Sequence, residues 1–261
     1  MTKAELEAKV RKGENLAGID LTNADLSEAS LLGANLLNAN LAGANLTQAN
    51  LVTADLTGAN LSGAKLILAN LTVSNLTGAN LSGADLEGAN LDRVNLSGAT
   101  LDKAVLEARV AAGESLAGIN LTNTDLNGAY LAGANLVGAC LIAVNLTKAN
   151  LSETNLHEAD LEGANLSEAD LSRSRIDKTF LRGANLRGAD LKGAYLYEAN
   201  LREADLSNAN LRFAALHEVD VTDANLSGAD LTLASLHDVD LSSAADTTNA
   251  KMGDMKVISY R

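Results

Sequence analysis

The feature of this sequence that most constrains its fold is an apolar residue at every fifth position. Leu occupies these positions from Leu16 to Leu241, and the exceptions, which are Ala111, Ile176 and Val221, are also apolar. Asn or Asp usually precedes the Leu, and Ala usually lies two residues before it, so the repeating unit reads A-(D/N)-L-x-x. This period fits neither the α-helix nor the alternation of a β-strand. The chain must therefore turn by a fixed angle in each unit.

A four-sided coil satisfies this period if each unit forms one side, so that four units of five make a 20-residue coil. Coils stacked about 4.8 Å apart would hydrogen-bond to one another as parallel strands do. Leu would point inward from the middle of each side, where only a small residue such as Ala fits beside it. Gly is common two residues after Leu, where a corner needs a permissive backbone.

The repeating unit resembles the pentapeptide-repeat family over roughly residues 15–245. The resemblance implies an all-β solenoid, a right-handed quadrilateral parallel β-helix with short capping helices. The period alone establishes neither the number of sides nor the hand. The functions of the family are diverse and include gyrase-protecting DNA mimics, cyanobacterial regulators and secretion-associated proteins, so the fold does not decide the function.

The chain also contains a longer duplication. Residues 3–26 reappear at 103–126, with identity at 17 of 24 positions. Each copy begins with a helical pattern, and the first copy suits a cap over the exposed end of a β-helix. The second copy is either a cap that starts a second β-helix or a helix that bulges from a continuous one. We predict a helical cap with a first β-helix segment, a second helix with a second β-helix segment, and a non-repeat tail, at 1–100, 101–245 and 246–261.

Composition narrows the classes of function. The net charge of −13 argues against direct binding of nucleic acid or of an anionic membrane. The N-terminal residues do not form a Sec signal, and no apolar run reaches the length of a membrane span. A single Cys excludes an internal disulfide and suits a reducing compartment. We therefore expect a cytoplasmic location, with secretion without a cleaved signal as the open alternative.

Motifs for catalysis do not stand out from the repeat. The sequence has no nucleophile elbow, no phosphate-binding Gly loop, no HExxH and no pair of Cys. Ser and Asp are abundant, but they occupy repeat positions. We expect a protein that is not an enzyme and needs no cofactor.

All three His share one position of the 20-residue coil, because His157, His217 and His237 are separated by 60 and 20 residues. Acidic and aromatic residues accompany them, which suits a protein-binding face with aromatic anchors and acidic steering. The alternative is a solvated charge run without function. The predicted face comprises His157, Glu158, Asp160, Phe180, Tyr195, Tyr197, Glu198, His217, Glu218, Asp220, His237, Asp238 and Asp240.

A metal ion at this face would draw on His217 and His237 with Glu218 or Asp238, which are suitable ligand types. Spacing alone does not make a closed site, and we predict no metal ion.

Basic residues concentrate in the same half of the chain. They balance neighbouring acids or, alternatively, form a patch for an anion or an acidic partner. The predicted basic patch comprises Arg182, Arg187, Lys192, Arg202 and Arg212.

These observations predict a non-catalytic scaffold, a monomer or dimer, that presents flat faces to a protein partner. A first alternative is a DNA mimic that binds a type II topoisomerase, namely gyrase. A tube of about 11 coils would be about 55 Å long, and DNA of that length carries about 32 charges, against the −13 of this chain. A second alternative is an accessory or effector protein of type VI secretion, because the phrase Glu-Ser-Leu-Ala-Gly-Ile at 114–119 resembles segments of such proteins.

Overall fold

The fold is built from parallel β-bridges that join successive turns of the chain. The computed structural model describes residues 1–254 and 256–258. The residue before each core Leu pairs with the residue 20 positions further on, as in Asp20↔Asn40 and Asn40↔Asn60. The same step recurs from Asp125↔Asn145 to Asn210↔Asp230. The turns therefore stack as a β-solenoid.

The core of each turn is a layer of Leu with small residues beside it. Leu36 and Leu186 are fully buried, and so is Ala189. Hydroxyl residues replace the inward Ala at several positions, and two of them donate a hydrogen bond to a backbone carbonyl: Thr154 Oγ1 lies 2.7 Å from the Leu151 oxygen and Ser174 Oγ 2.6 Å from the Leu171 oxygen. Burial of these two hydroxyls is tolerated because each finds an acceptor. The buried hydroxyls of Ser74 and Thr124 have no such acceptor among the described residues.

Each corner is a tight turn around the second residue after Leu. At Gly63 this residue has a φ of 64°, and the N–H of Ala64 donates to the carbonyl of Leu61 at 3.0 Å. A positive φ at the third position of a turn is typical of type II turns and favours Gly or Asn. The corner therefore explains why Gly is common at this position.

The Asn or Asp before each Leu has a structural role of its own. The Oδ1 of Asn60 accepts from the N–H of Ser62 at 3.2 Å, which is an Asx-turn that supports the corner. The same side chain is part of a ladder, because Asn60 Nδ2 donates to Asn40 Oδ1 at 3.2 Å and Asn80 Nδ2 donates to Asn60 Oδ1 at 3.3 Å. The side chain of Asn at this position thus forms hydrogen bonds both within its own corner and with the Asn of the neighbouring turns.

The two copies of the duplication begin with helices that make the same contact. Helix α1 spans Lys3–Arg11 and helix α2 spans Lys103–Ala111. Glu7 in α1 accepts from the N–H of Ser30 at 2.8 Å, and Glu107 in α2 accepts from the N–H of Tyr130 at 2.8 Å. In both copies a helical carboxylate therefore satisfies a backbone donor of a following turn.

The chain divides into two compact units. The first consists of Met1–Val105 and Gly118–Thr124, and the second consists of Leu106–Ala117 and Asp125–Arg261. Within the first unit, Asn95 pairs with Asn120, so the step between paired residues is 25 at this place. Residues 118–124, which the sequence assigned to the second β-helix segment, thus belong to the ladder of the first unit.

The second unit contains a three-stranded parallel sheet of β1 (Ala215–His217), β2 (Ser235–His237) and β3 (Lys256–Ile258). Strands β1 and β2 pair at a step of 20 residues, whereas Ser235 in β2 pairs with Lys256 in β3. A 3₁₀ helix at Leu241–Ser243 precedes this shift.

Within the predicted tail at 246–261, Asp246, Lys251 and strand β3 continue the backbone pairing beyond the last repeat motif. Residue 255 and residues 259–261 of this tail lie outside the described residues. In the part of the chain that the structure describes, no helix has the length and apolar character that a membrane span requires.

Candidate protein-binding face

The predicted face centres on a column of aromatic rings in the second unit. The rings of Tyr195 and Tyr197 stack with centroids 6.3 Å apart, and Tyr197 meets His217 edge to face at 4.5 Å. His217 lies opposite His237 in the pairing of β1 with β2, with ring centroids 5.3 Å apart. These four residues form one continuous row, which we term the ring ladder.

The ring ladder is held in place by the backbone. Tyr195 and Tyr197 flank the buried Leu196, so both point away from the core. Neighbouring turns are joined here by short hydrogen bonds, such as the one from the Glu218 N–H to the His237 carbonyl at 2.8 Å. Tyr195 remains 47% exposed. The rings therefore stand on a rigid sheet and keep solvent-accessible surface.

A column of carboxylates runs beside the ring ladder. Glu198, Glu218 and Asp238 occupy the corner position of three successive turns, with φ between 51° and 54°, and all three are exposed. Glu198 Oε2 lies 3.8 Å from Lys178 Nζ, and Asp238 Oδ2 lies 3.3 Å from His237 Nδ1. We term Glu198, Glu218 and Asp238 the acidic column.

The other end of the face has a different chemistry. His157 Nε2 lies 3.5 Å from Glu158 Oε1, and His157 Nδ1 lies 4.0 Å from Asp177 Oδ2. Asp177 is buried, and its Oδ2 accepts from Arg175 Nε at 3.1 Å and Nη2 at 3.0 Å. His157 therefore lies beside the carboxylates of Glu158 and Asp177 and not in the ring ladder. Asp177 and Arg175 were absent from the predicted face, although the coil position of Asp177 matches that of the three His.

Part of the predicted face lies on the following side of the solenoid. The chain turns between residues 176 and 179, where the Thr179 N–H donates to the Ile176 carbonyl. Phe180 lies beyond this corner, pairs with Asp160 and Asn200 and is 52% exposed. The column that follows the corner contains the predicted residues Asp160, Phe180 and Asp220, and Asp240 is the N-cap of the 3₁₀ helix at Leu241–Ser243.

Two of these aspartates are engaged in the corner turns. The pKa of Asp220 is lowered chiefly by the hydroxyl of Thr222, with Arg202 contributing further. The pKa of Asp240 is lowered by the hydroxyl and then the N–H of Ser242. Both carboxylates therefore serve the Asx-turns of the fold as well as the surface charge.

The predicted basic patch is distributed over three columns. Arg182 and Arg202 share one position of the 20-residue turn, Lys192 and Arg212 share a second, and Arg187 occupies a third. Arg182 pairs with Glu203 at 2.8 Å. Arg202 pairs with Asp220 at 3.4 Å. Arg212 pairs with Asp230 at 3.5 Å and also lies over the ring of Phe213 at 5.6 Å. Three of the five basic residues thus balance neighbouring acids; for Arg187 and Lys192 the described residues provide no ion pair.

The residues considered for a metal ion do not converge. Within residues 1–254 and 256–258, no group of three or more His, Cys, Asp or Glu is placed to hold one. His217 and His237 instead face each other as rings, and Asp238 lies beside His237.

Comparison with protein families gives a match over most of the chain. The model described as "Pentapeptide repeats" matches in eight copies between residues 15 and 244. The predicted family is thereby confirmed. No curated protein matches the chain in sequence.

Solved structures give further similarities. HetL, a pentapeptide repeat protein involved in heterocyst differentiation regulation from the cyanobacterium Nostoc sp. strain PCC 7120, is 30% identical, with 98% of this chain and 94% of HetL covered and a TM-score of 0.51. Rfr23, from the cyanobacterium Cyanothece 51142, is 29% identical over 55% of this chain and 95% of its own, with a TM-score of 0.33. QnrB1, a plasmid-mediated fluoroquinolone resistance protein, is 13% identical over 91% of this chain and 90% of its own, with a TM-score of 0.35.

Proposed function

The chain belongs to the pentapeptide-repeat family, and from that membership we propose that it is a non-catalytic scaffold that binds a protein partner through the side bearing the ring ladder. The family fold supports a right-handed solenoid with four sides. The 20-residue step between paired residues agrees with this, because it equals four units of five residues. Such a solenoid offers flat, rigid sides. Binding to a rigid side costs little ordering of the scaffold itself.

The observation that carries this proposal is the row of Tyr and His rings on a hydrogen-bonded sheet. Tyr is enriched among residues that dominate binding energy at protein interfaces, because it combines a large apolar body with a polar tip. The chain contains only four Tyr, and two of them lie next to each other in the ring ladder. HetL, the similar protein with 30% identity, is by its description involved in regulation, which is consistent with action through binding.

A capture experiment tests this function. Full-length protein would be used to retain binding proteins, and the retained set would be identified by mass spectrometry for wild type and for a Tyr195→Ala/Tyr197→Ala variant. Tyr130→Ala provides a matched control, since Tyr130 also precedes a core Leu and is 62% exposed. We expect the Tyr195/Tyr197 variant to lose proteins that wild type and the control retain. An identical set for all three proteins would contradict the proposal.

A second candidate function is DNA mimicry toward a type II topoisomerase, which the net charge of −13 favours. The ion pairs of Arg182, Arg202 and Arg212 interrupt the negative surface of the second unit, so we rank this function below the scaffold. A gyrase supercoiling assay separates the two: inhibition by micromolar protein supports mimicry, and unchanged supercoiling removes it.

A further inference from the structure

We propose that the occupant of the ring ladder is a cationic segment of the partner protein, rich in Arg or Lys. This inference rests on the proposed function and names the class of partner for the same face. Arg and Lys are attracted to the faces of Tyr rings within about 6 Å of the ring centroid. The ring ladder provides two such rings, at Tyr195 and Tyr197, next to a row of carboxylates.

The charges around the ring ladder favour a cation over other occupants. The acidic column places three carboxylates along one edge, and its cationic neighbour Lys178 lies at the Glu198 end. Among the described residues, Glu218 forms no ion pair. Beyond the corner, the charge of Asp220 is shared with Arg202. Arg175, the backbone partner of Tyr195, is balanced by Asp177. At the other end, Glu218 and Asp238 contribute negative charge beside His217 and His237.

The spacing of the acidic column adds a driving force. Successive turns of a β-solenoid lie about 4.8 Å apart, and like charges on neighbouring strands repel each other, an effect that salt weakens. Glu198, Glu218 and Asp238 stem from the corner positions of three successive turns, so we expect such repulsion along the acidic column of the free protein. A cation that binds between two carboxylates relieves it. An anionic partner, or a second copy of this chain with its charge of −13, would increase it.

The geometry also gives the arginine side chain a specific place. A guanidinium presents a planar fork that pairs with a carboxylate and at the same time stacks on an aromatic ring. The chain contains an intramolecular example, in which Arg212 lies 5.6 Å over Phe213 and pairs with Asp230 at 3.5 Å. In the ring ladder, Tyr197 and the neighbouring Glu198 place a ring beside a carboxylate in the same way, and the next two turns add the carboxylates of Glu218 and Asp238.

A hexa-arginine peptide tests the inference on the full-length protein. Its affinity would be measured by fluorescence anisotropy at fixed salt for wild type and for Glu198→Gln/Glu218→Gln/Asp238→Asn. We expect the dissociation constant of this variant to rise at least about tenfold, because three carboxylates at the face are neutralised. The substitutions are at exposed positions, so the fold is expected to persist, and circular dichroism would verify it.

A matched control separates a local site from the general attraction of a cationic peptide to an acidic protein. Glu168→Gln/Glu203→Gln/Asp223→Asn makes the same change of charge at exposed corner positions away from the ring ladder. We expect less than a twofold change for this control. Equal weakening in the two variants would overturn the inference.

The rings have a test of their own. Tyr197→Leu keeps an apolar side chain and removes the aromatic face, which at an exposed site corresponds to about a two- to fivefold loss of affinity. Unchanged affinity in this variant would overturn the role of the rings. If the Tyr195/Tyr197 variant loses captured proteins while hexa-arginine does not bind wild type, the cationic partner is wrong and the scaffold stands. If the peptide binds at the acidic column but the captured set is unchanged by the Tyr substitutions, the scaffold function itself fails.

Discussion

Two adjacent leucines provide a direct test of how the solenoid is stabilised. Leu31 is fully buried in the core, whereas Leu32 is 56% exposed on the surface of the same repeat unit. Replacing each with Ala removes the same three carbon atoms, from the inward position in one case and from an exposed position of the corner turn in the other. The two variants therefore separate the loss of core packing from the loss of a leucine side chain as such.

The expected cost can be worked out from the structure. Leu31→Ala loses the burial of three carbon atoms, which costs about 2.4 kcal/mol at about 0.8 kcal/mol for each carbon. The cavity that the substitution leaves adds to this cost, because backbone hydrogen bonds keep the surrounding chain from collapsing into it. The Leu31 N–H donates to the Asn50 carbonyl at 2.8 Å, and the Leu31 carbonyl accepts from the Ala34 N–H at 3.0 Å. We expect Leu31→Ala to lower the free energy of unfolding by about 3 kcal/mol, within the range seen for buried Leu→Ala changes. Leu32→Ala is expected to change it by less than about 0.5 kcal/mol.

The assay has an equilibrium and a local readout. Urea unfolding followed by circular dichroism gives the free energies of the two variants and of wild type. Because a solenoid can open locally, hydrogen exchange should also show weaker protection of the amides of Leu31 and Gly33 in Leu31→Ala. The reasoning is refuted if the two variants lose equal stability, or if Leu31→Ala costs less than about 1 kcal/mol.

Two further predictions concern the corner turns. The pKa of Asp230 is lowered chiefly by the hydroxyl of Thr232, so its contribution to stability is present above the unfolded pKa of about 3.9 and is lost as the pH falls through the folded value. Urea unfolding across pH 2 to 7 should therefore show that the stability advantage of wild type over Asp230→Asn is greatest near neutrality and shrinks in acid; a constant difference would contradict this. Gly183 has a φ of 64° with open space around an added Cβ, so Gly183→Ala should cost about 1 kcal/mol from backbone strain alone, and Gly183→Asn should cost less, because Asn tolerates this conformation. Equal costs of the two substitutions in urea unfolding would show that strain at this corner is not the cause.

Much of the fold follows from the sequence, because the period of five decides which side chains point inward. It predicted the buried core positions, such as Leu36 and Leu186, and the permissive corner at Gly63. The reason for Asn before each Leu was not predicted. The ladder of Asn40, Asn60 and its neighbours depends on side-chain hydrogen bonds between turns, which become visible only when the turns are stacked.

The candidate face was predicted in part. Counting 20 residues per turn placed His217 opposite His237, and the backbone pairing of β1 with β2 has this register. The count did not show that His157 lies against the Asp177 carboxylate and outside the ring ladder. The position of an imidazole relative to a carboxylate depends on side-chain rotamers and burial, and a periodic pattern contains neither.

The sequence by itself thus determined the family, the core positions and the stacking of outward residues into columns, because these depend only on a repeated spacing. The tertiary structure decided where the regular spacing changes. The step of 25 at Asn95↔Asn120 and the shift at β3 arise where residues leave the repeat to form a helix or a 3₁₀ turn. Only the stacked chain shows how many residues such a departure adds to a turn, since the hydrogen-bonded ladder must resume with the partner that lies next to it in space.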